Sequence, residues 1–394
     1  MTILVCHLTW VAGQAHFRRS MLRTPEPVLM LIADISGYTT YLSGTEIDHA
    51  QNVLEDLLET VVARLAPPLT VIKGEGDAVF LYAAGGTVSG TMLLDALDSC
   101  YFGFRRRLRD VTQATTCECN ACVLIPRLDL KFVVHAGQAI RQSSFGMLDL
   151  IGSDVVTVHR LLKNHVAEEH GWRGYALLTD AAVQSVGLDC LRLGMVAHRE
   201  VYEDAGAVVG FVEDLDARWR EEQQRSATRL TPDQALSVIN VDLAAPPPVA
   251  WEFASNPRQR QRWQVGVIRV DQENPEGRPG VGTTNHCVHG RDAVLEEILE
   301  YQPFESTTVR SQTEAGPVLT TWSFTPTELG TDLELLFGLE DPAHAREIWT
   351  VAGPVIEGLF RESLKRLQAL VIEESAKSQL AGDAPVDSGT ARSS

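Results

Sequence analysis

The chain has 394 residues, 44% apolar and 22% charged, an ordinary globular composition with enough length for two or three domains that each bury a core. Its 52 acidic against 34 basic residues give a net charge of −18, and no basic run dominates, which argues against nucleic acid or an anionic membrane surface as a partner. Seven cysteines, an odd number in so long a chain, do not make a disulfide scaffold and point to a reducing, cytoplasmic compartment. No apolar run reaches the ~18 residues of a membrane-spanning helix.

The first 27 residues read as an N-terminal extension. Their apolar part has no Lys or Arg ahead of it, the wrong order for a signal peptide, and Met21 and Met30 leave the true start open. Residues 28–33 predict a buried strand ending at Asp34. Leu54, Leu57, Leu58, Val61, Val62 and Leu65 recur at helical spacing, and Pro67 and Pro68 stop that helix. Two short apolar runs, 69–72 and 78–82, flank Lys73-Gly74-Glu75-Gly76-Asp77 and predict a hairpin. A helix over about 89–110, a Cys-rich connection, a strand at 128–134, a helix at 153–166 and strands at 194–202 and 207–213 follow. This β-α-β-β-α-β order predicts an α+β domain over 28–214 with helices on one face of its sheet.

Residues 215–234 are polar and read as a linker, partly helical. A second domain is expected over 235–374: a strand at 236–243, a short helix, several strands to about 340, and a long helix. That last helix carries an apolar stripe of Ile348, Val351, Val355, Ile356, Leu359, Phe360, Leu364, Leu367 and Leu370, with Pro354 marking a kink or a start. Residues 375–394 lack periodicity and read as a disordered tail.

Two segments of the first domain present carboxylates where they can meet. Asp34 ends a buried strand, and Asp77 sits in the neighbouring hairpin. Such a pair can hold one hard cation whose shell phosphate oxygens complete. Glycines at 37, 74 and 76 let backbone approach a triphosphate closely. A third segment, Asp149-Leu150-Ile151-Gly152, precedes a helix carrying Arg160.

Taken together, these motifs resemble the catalytic domain of class III nucleotidyl cyclases, the adenylyl and guanylyl cyclases. Asp34-Ile35-Ser36-Gly37-Tyr38-Thr39 is similar to the family's D-I-x-G-F-T metal motif, and Lys73-x-x-Gly76-Asp77 to its K-x-x-G-D hairpin. Val134-His135-Ala136-Gly137 is similar to its strand-end H-x-G, and Asp149-x-x-Gly152 with Arg160 to its base-reading and catalytic segment. The resemblance implies a ferredoxin-like βαββαβ core. It implies Mg²⁺ or Mn²⁺ held by Asp34, Asp77 and Ile35, and ATP bound through Lys73, Asp149 and Gly37. It implies Arg160 as the catalytic arginine at the α-phosphate, in a site shared by the two protomers of a homodimer. Plainer roles stay open: a turn cap for Asp34, a salt bridge between Asp149 and Arg160, a satisfied strand-end histidine at 135. The sequence departs from the family twice. Val156 stands where a hydrogen-bonding asparagine is expected, and residues 200–217 contain no Lys or Arg for the terminal phosphates.

Cys117, Cys119 and Cys122, with Cys100 upstream, have a spacing that can bind Zn²⁺; a redox pair and inert thiols are the alternatives. Ordinary cyclase domains lack this insert. The second domain resembles the START-like, polyketide-cyclase-like (SRPBCC) superfamily, through Ile239–Trp251, the Asn256-Pro257 turn, Trp263 and the long C-terminal helix. That resemblance implies a helix-grip fold around a cavity for an apolar small molecule. In Asn285-His286-Cys287-Val288-His289 alternate residues face opposite sides of a strand, and Glu296, Glu297 and Glu300 face either the cavity or solvent. The reading that follows is a divergent cyclase-like protein that binds ATP and forms cyclic AMP under the control of a START-like domain. The alternatives are a catalytically degenerate nucleotide or ligand sensor, and an enzyme whose site is the START-like cavity.

Overall fold

The computed structural model describes residues 24–43, 47–114, 124–144, 147–202, 206–224, 228–289, 292–314, 316–340 and 345–382. Two sheets organise them. The first contains β1 (Glu26–Ser36), β2 (Thr70–Glu75), β3 (Ala78–Ala84), β4 (Asp129–Ser144), β5 (Met147–Ile151), β6 (Tyr175–Thr179), β7 (Val196–Tyr202) and β8 (Gly206–Asp214). Its order is β2-β3-β1-β4-β6-β8-β7, with β5 paired to β4. Among the described strands only β4 and β6 run parallel. Helices α1 (Tyr38–Ser43) and α2 (Ile47–Leu65) connect β1 to β2, and α3 (Gly90–Ala114) connects β3 to β4. This is the expected βαββαβ core, with strand order β4-β1-β3-β2.

β1 is apolar at every position from Val28 to Ala33, so both of its faces must be covered. Leu29, Leu31 and Ala33 pack with α2 and α3, while Val28, Met30 and Ile32 face Val158 and Leu161 of the opposite layer. The expectation of helices on one face is therefore corrected. The opposite layer is built by α4 (Ser153–Arg160) and α5 (Val166–His170), and α4 is shorter than the helix predicted over 153–166. α6 (Asp180–Val186) follows β6.

The stretch expected as a linker begins with α7 (Leu215–Gln224), which packs onto α3. Trp219 is buried against Phe102, with ring centroids 5.5 Å apart, and Arg218 donates to Asp98. One buried tryptophan and one arginine suffice to dock an otherwise polar helix.

The second sheet is antiparallel throughout: β10 (Arg269–Glu273), β11 (Thr284–His289), β12 (Asp292–Gln302), β13 (Ser306–Thr313), β14 (Gly316–Thr327), β15 (Gly330–Leu339) and β9 (Ser237–Leu243), in that spatial order. Helices α8 (Pro247–Ser255) and α9 (Pro257–Trp263) follow β9, and α10 (Ala345–Gly382) closes the domain. Phe360 of α10 meets Trp322 and Phe337 of the sheet, and Leu364, Leu367 and Val371 are buried, which gives the helix-grip arrangement. Pro354 lies inside a continuous helix, and Val351, Val355 and Leu359 stand exposed rather than in the stripe expected to be buried. The tail expected over 375–394 is corrected for 375–382, which extends α10. Ala, Lys, Gln and Leu there favour helix, and Lys377 pairs with Glu373 one turn back.

The two domains meet through a buried polar contact. Asp95 of α3 accepts from Trp251 Nε1 at 3.2 Å and Tyr301 Oη at 2.9 Å. Arg278 pairs with Asp98 at 2.7 Å and Glu213 at 3.3 Å. No described helix is long and apolar enough to cross a membrane.

Candidate nucleotide site

Asp34 lies at the end of β1, in register with Ala78 of β3 and Lys131 of β4. The β2–β3 turn is tied to it by Ile35 N–H, which donates to the Asp77 carbonyl at 3.1 Å. The pairing fixes Asp77 beside Asp34. Burial raises the Asp77 pKa, and the neighbouring Asp34 charge raises it further. Tyr38 is also pushed up, by burial and by Asp77. Two carboxylates that repel each other at adjoining strand ends form an oxygen donor set of the kind Mg²⁺ or Mn²⁺ prefers, so the residues fit such an ion.

Gly37 follows in the left-handed region (φ +87°), where a Cβ would come within 3.1 Å of both the Arg127 carbonyl and Arg173 Nη2. The turn thus needs glycine for its backbone angle and for its crowding. The Ile35 side chain is buried in the core, so any part it plays falls to its backbone.

Lys73 on β2 reaches across to β5. Its Nζ is 3.1 Å from Glu75 and 3.9 Å from Asp149, and both Lys73 and Asp149 are partly exposed. Glu75 also holds His159 Nε2 at 3.1 Å. The structure therefore joins Asp149 to Lys73 and not to Arg160. Arg160, the last residue of α4, makes no side-chain hydrogen bond or ion pair among the described residues. One turn earlier Val156 is 51% exposed, an apolar side chain in water.

Two further cations reach the site. Lys131 Nζ lies 3.1 Å from Asp34 Oδ2 and 3.1 Å from the Leu162 carbonyl. Arg173 donates to the Arg127 carbonyl beside Gly37. A lysine inside the apolar run Leu130–Val134 was the available signal for the first; Arg173 carried none.

His135 lies within β4 and not at its end. It is buried, shares a 2.9 Å hydrogen bond with Thr179 Oγ1, and burial lowers its pKa. Gly137 makes room for Asp154, whose carboxylate accepts from Gln138 N–H at 2.6 Å. The H-x-G motif here seats the start of α4.

Cys117, Cys119 and Cys122 lie outside the described residues. Cys100 is fully buried between α2 and α3, its thiol pushed up by burial, with Sγ 3.9 Å from the Val61 carbonyl. That is the setting of a packed thiol, and the three cysteines expected to join it lie outside the described residues.

In the second domain Trp251, Tyr301, Trp322, Phe324 and Phe360 line a cavity of about 50 Å³ that also receives Arg260 and Glu296. These two form a buried bidentate pair at 2.7 and 2.9 Å. Burial raises the Glu296 pKa, but Arg260 outweighs it and holds the carboxyl below its ordinary range. Cys287 faces inward, and Glu300 is buried against Ser306 and Thr308. Glu297 pairs with Arg310. A volume of this size holds a few water molecules.

Fold and site together define a two-part α+β chain, a βαββαβ domain followed by a seven-stranded antiparallel sheet closed by a long helix. Residues 236–371 match the family model described as "Polyketide cyclase / dehydrase and lipid transport", and residues 54–170 match one described as "Protein of unknown function (DUF2652)". The uncharacterized protein Rv2561/Rv2562 of Mycobacterium tuberculosis is 34% identical over 131 residues, which is 33% of this chain and 59% of that relative, so about three fifths of its length is matched. Among solved structures, the guanylyl cyclase Cya2 is similar at 16% identity and a TM-score of 0.36, covering 48% of this chain and 92% of its own. The adenylyl cyclase CyaB from P. aeruginosa is similar at 16% identity and a TM-score of 0.34, covering 52% and 98%.

Proposed function

We propose that residues 28–214 form a divergent class III cyclase-like module that binds ATP with Mg²⁺ or Mn²⁺ between two copies of the chain and converts it to cyclic AMP and pyrophosphate. The observation that carries this reading is the meeting of Asp34 and Asp77 at adjoining strand ends, tied by the bond from Ile35 to Asp77. A bound divalent ion supplies charge neutralisation of the phosphates and activation of the attacking 3′-hydroxyl. Asp34 and Asp77 hold it. Lys73 beside Asp149 presents a donor next to an acceptor, the pattern that reads an adenine edge. Arg160, with no anion paired to it among the described residues, is available to an α-phosphate. Lys131 and Arg173 place positive charge around the Gly37 turn, partly answering the absence of basic residues at 200–217. Exposed Ile151 and Val156, on either side of the start of α4, suit burial against a second copy.

Product analysis tests this. Wild-type protein with ATP and Mn²⁺ yields cyclic AMP, and Asp34→Ala yields none; equal yields from both would overturn the assignment.

A specific pair of observations favours a second reading, a nucleotide sensor without turnover. Val156 cannot donate to ribose or phosphate, and loss of one such donor typically costs ~10²–10³ in rate. Lys131 already places a cation on Asp34. ATP binding without product would select this reading. In either case the second domain is a ligand module for an apolar small molecule whose binding requires the cavity of about 50 Å³ to widen. Its cavity wall, Trp251 and Tyr301, touches the first domain directly through Asp95.

A further inference from the structure

A second cluster of ligating side chains lies at the far edge of the first sheet from β2, on strand β7 and helix α5. Glu169, His170 and His198 each point one ligand atom into the same space, and these atoms all lie within 4.8 Å of one another. His198 is 4% exposed. Its Nε2 is 2.7 Å from Glu200 Oε1, so in the neutral ring the proton sits on Nε2 and the Nδ1 lone pair faces Glu169 Oε2 at 3.3 Å. That Nδ1 is buried and makes no hydrogen bond among the described residues, and neither does the buried Nε2 of His170. A buried His170 nitrogen without a hydrogen bond among the described residues, and a His198 Nδ1 met only by the Glu169 carboxylate, are costly to leave as they are.

The surroundings fix the geometry. Glu200 is nearly buried and is held by His165 through its backbone N–H at 2.6 Å and its Nδ1 at 2.9 Å. A carboxylate that orients a histidine from behind, leaving the other ring nitrogen bare, is the arrangement that supports metal-bound histidine. The Trp172 ring stacks on His170 at 4.8 Å and 23°. The third arm, Glu169, is exposed and can close the remaining distance.

We propose that Glu169, His170 and His198 form a binding site for a borderline divalent transition metal ion, Zn²⁺ foremost, with Glu200 orienting His198. Two imidazoles and one carboxylate suit Zn²⁺ and leave a fourth position open to water. The site is separate from the Asp34–Asp77 pair in ligand type and in strand, and it does not depend on the nucleotide reading.

The test uses the full chain with Cys117, Cys119 and Cys122 all replaced by serine, so that thiolates in that stretch contribute nothing. After chelator treatment and dialysis, titration with Zn²⁺ alone shows one equivalent bound. His170→Ala weakens it at least 100-fold, Glu169→Gln at least tenfold, and Glu200→Gln by roughly 10–100-fold. Co²⁺ in place of Zn²⁺ gives weak visible bands without thiolate charge-transfer absorption. Glu169 is exposed, so its variant keeps the test valid if His170→Ala fails to fold. No Zn²⁺ uptake by the serine chain, or uptake unchanged in Glu169→Gln and His170→Ala, overturns the proposal.

Discussion

Lys131 Nζ lies 3.1 Å from Asp34 Oδ2, and the two residues face each other in register across β1 and β4. The ammonium therefore shares Asp34 with any cation that binds there. Two unit charges about 4 Å apart interact by ~4 kcal/mol at the effective dielectric of a protein surface, so the lysine opposes a divalent ion appreciably. Lys131→Met should tighten Mn²⁺ binding by roughly tenfold, about 1.4 kcal/mol. Titration of nucleotide-free protein with Mn²⁺, read by electron paramagnetic resonance, measures this. Weaker binding in the variant would show that Lys131 organises Asp34 instead of competing for it.

The domain contact carries a pH dependence. Burial raises Asp95 to about 7 against the opposing pull of Arg278. The folded chain then keeps a proton that the unfolded chain loses near pH 4. Stability contributed by this group is full below that value, falls as pH rises toward 7, and is level above. Urea midpoints measured from pH 4.5 to 8 should show the decline, and Asp95→Asn should flatten it. Some slope remains in the variant, because burial also raises Glu213.

The Arg260–Glu296 pair is buried at the cavity wall. Removing one partner leaves the other charge without compensation. Glu296→Leu should cost about 3–5 kcal/mol in urea unfolding, whereas the double change with Arg260→Met should recover most of that loss. A single-variant cost below 1 kcal/mol would mean that water reaches the pair.

Gly137 is a packing requirement. A Cβ there would stand 2.3 Å from the Asp154 carboxylate. Gly137→Ala should displace Asp154 and the first turn of α4, lowering stability by about 1–3 kcal/mol. Gly76, with nothing near its Cβ position but φ +71°, should lose less on the same change, since only backbone strain acts there.

Much of this fold was legible in the residues. The all-apolar Val28–Ala33, the heptad-like leucines of 54–65 and the glycine-punctuated hairpin each form the element their pattern predicts, because local periodicity determined them. β5, β6 and α6 carry no comparable pattern. Tyr175–Thr179 is a five-residue strand with no alternation, buried on both faces, and short apolar runs of this kind do not declare their type. The helix at 153 stops at Arg160, because Leu161 and Leu162 enter a turn closed by Leu162 N–H to the His159 carbonyl. Site residues followed the same division. Asp34, Asp77, Lys73 and Asp149 could be named from motifs. Lys131, 97 positions from Asp34, and His198, 28 positions from His170, become partners only through sheet pairing and helix packing.

The most direct test of the nucleotide reading is calorimetric titration of the full chain with ATP in the presence and absence of Mn²⁺, alongside Asp77→Ala. The account predicts saturable binding that requires Mn²⁺ and is lost in the variant. Absence of ATP binding by the wild type, or equal binding by Asp77→Ala, would contradict it.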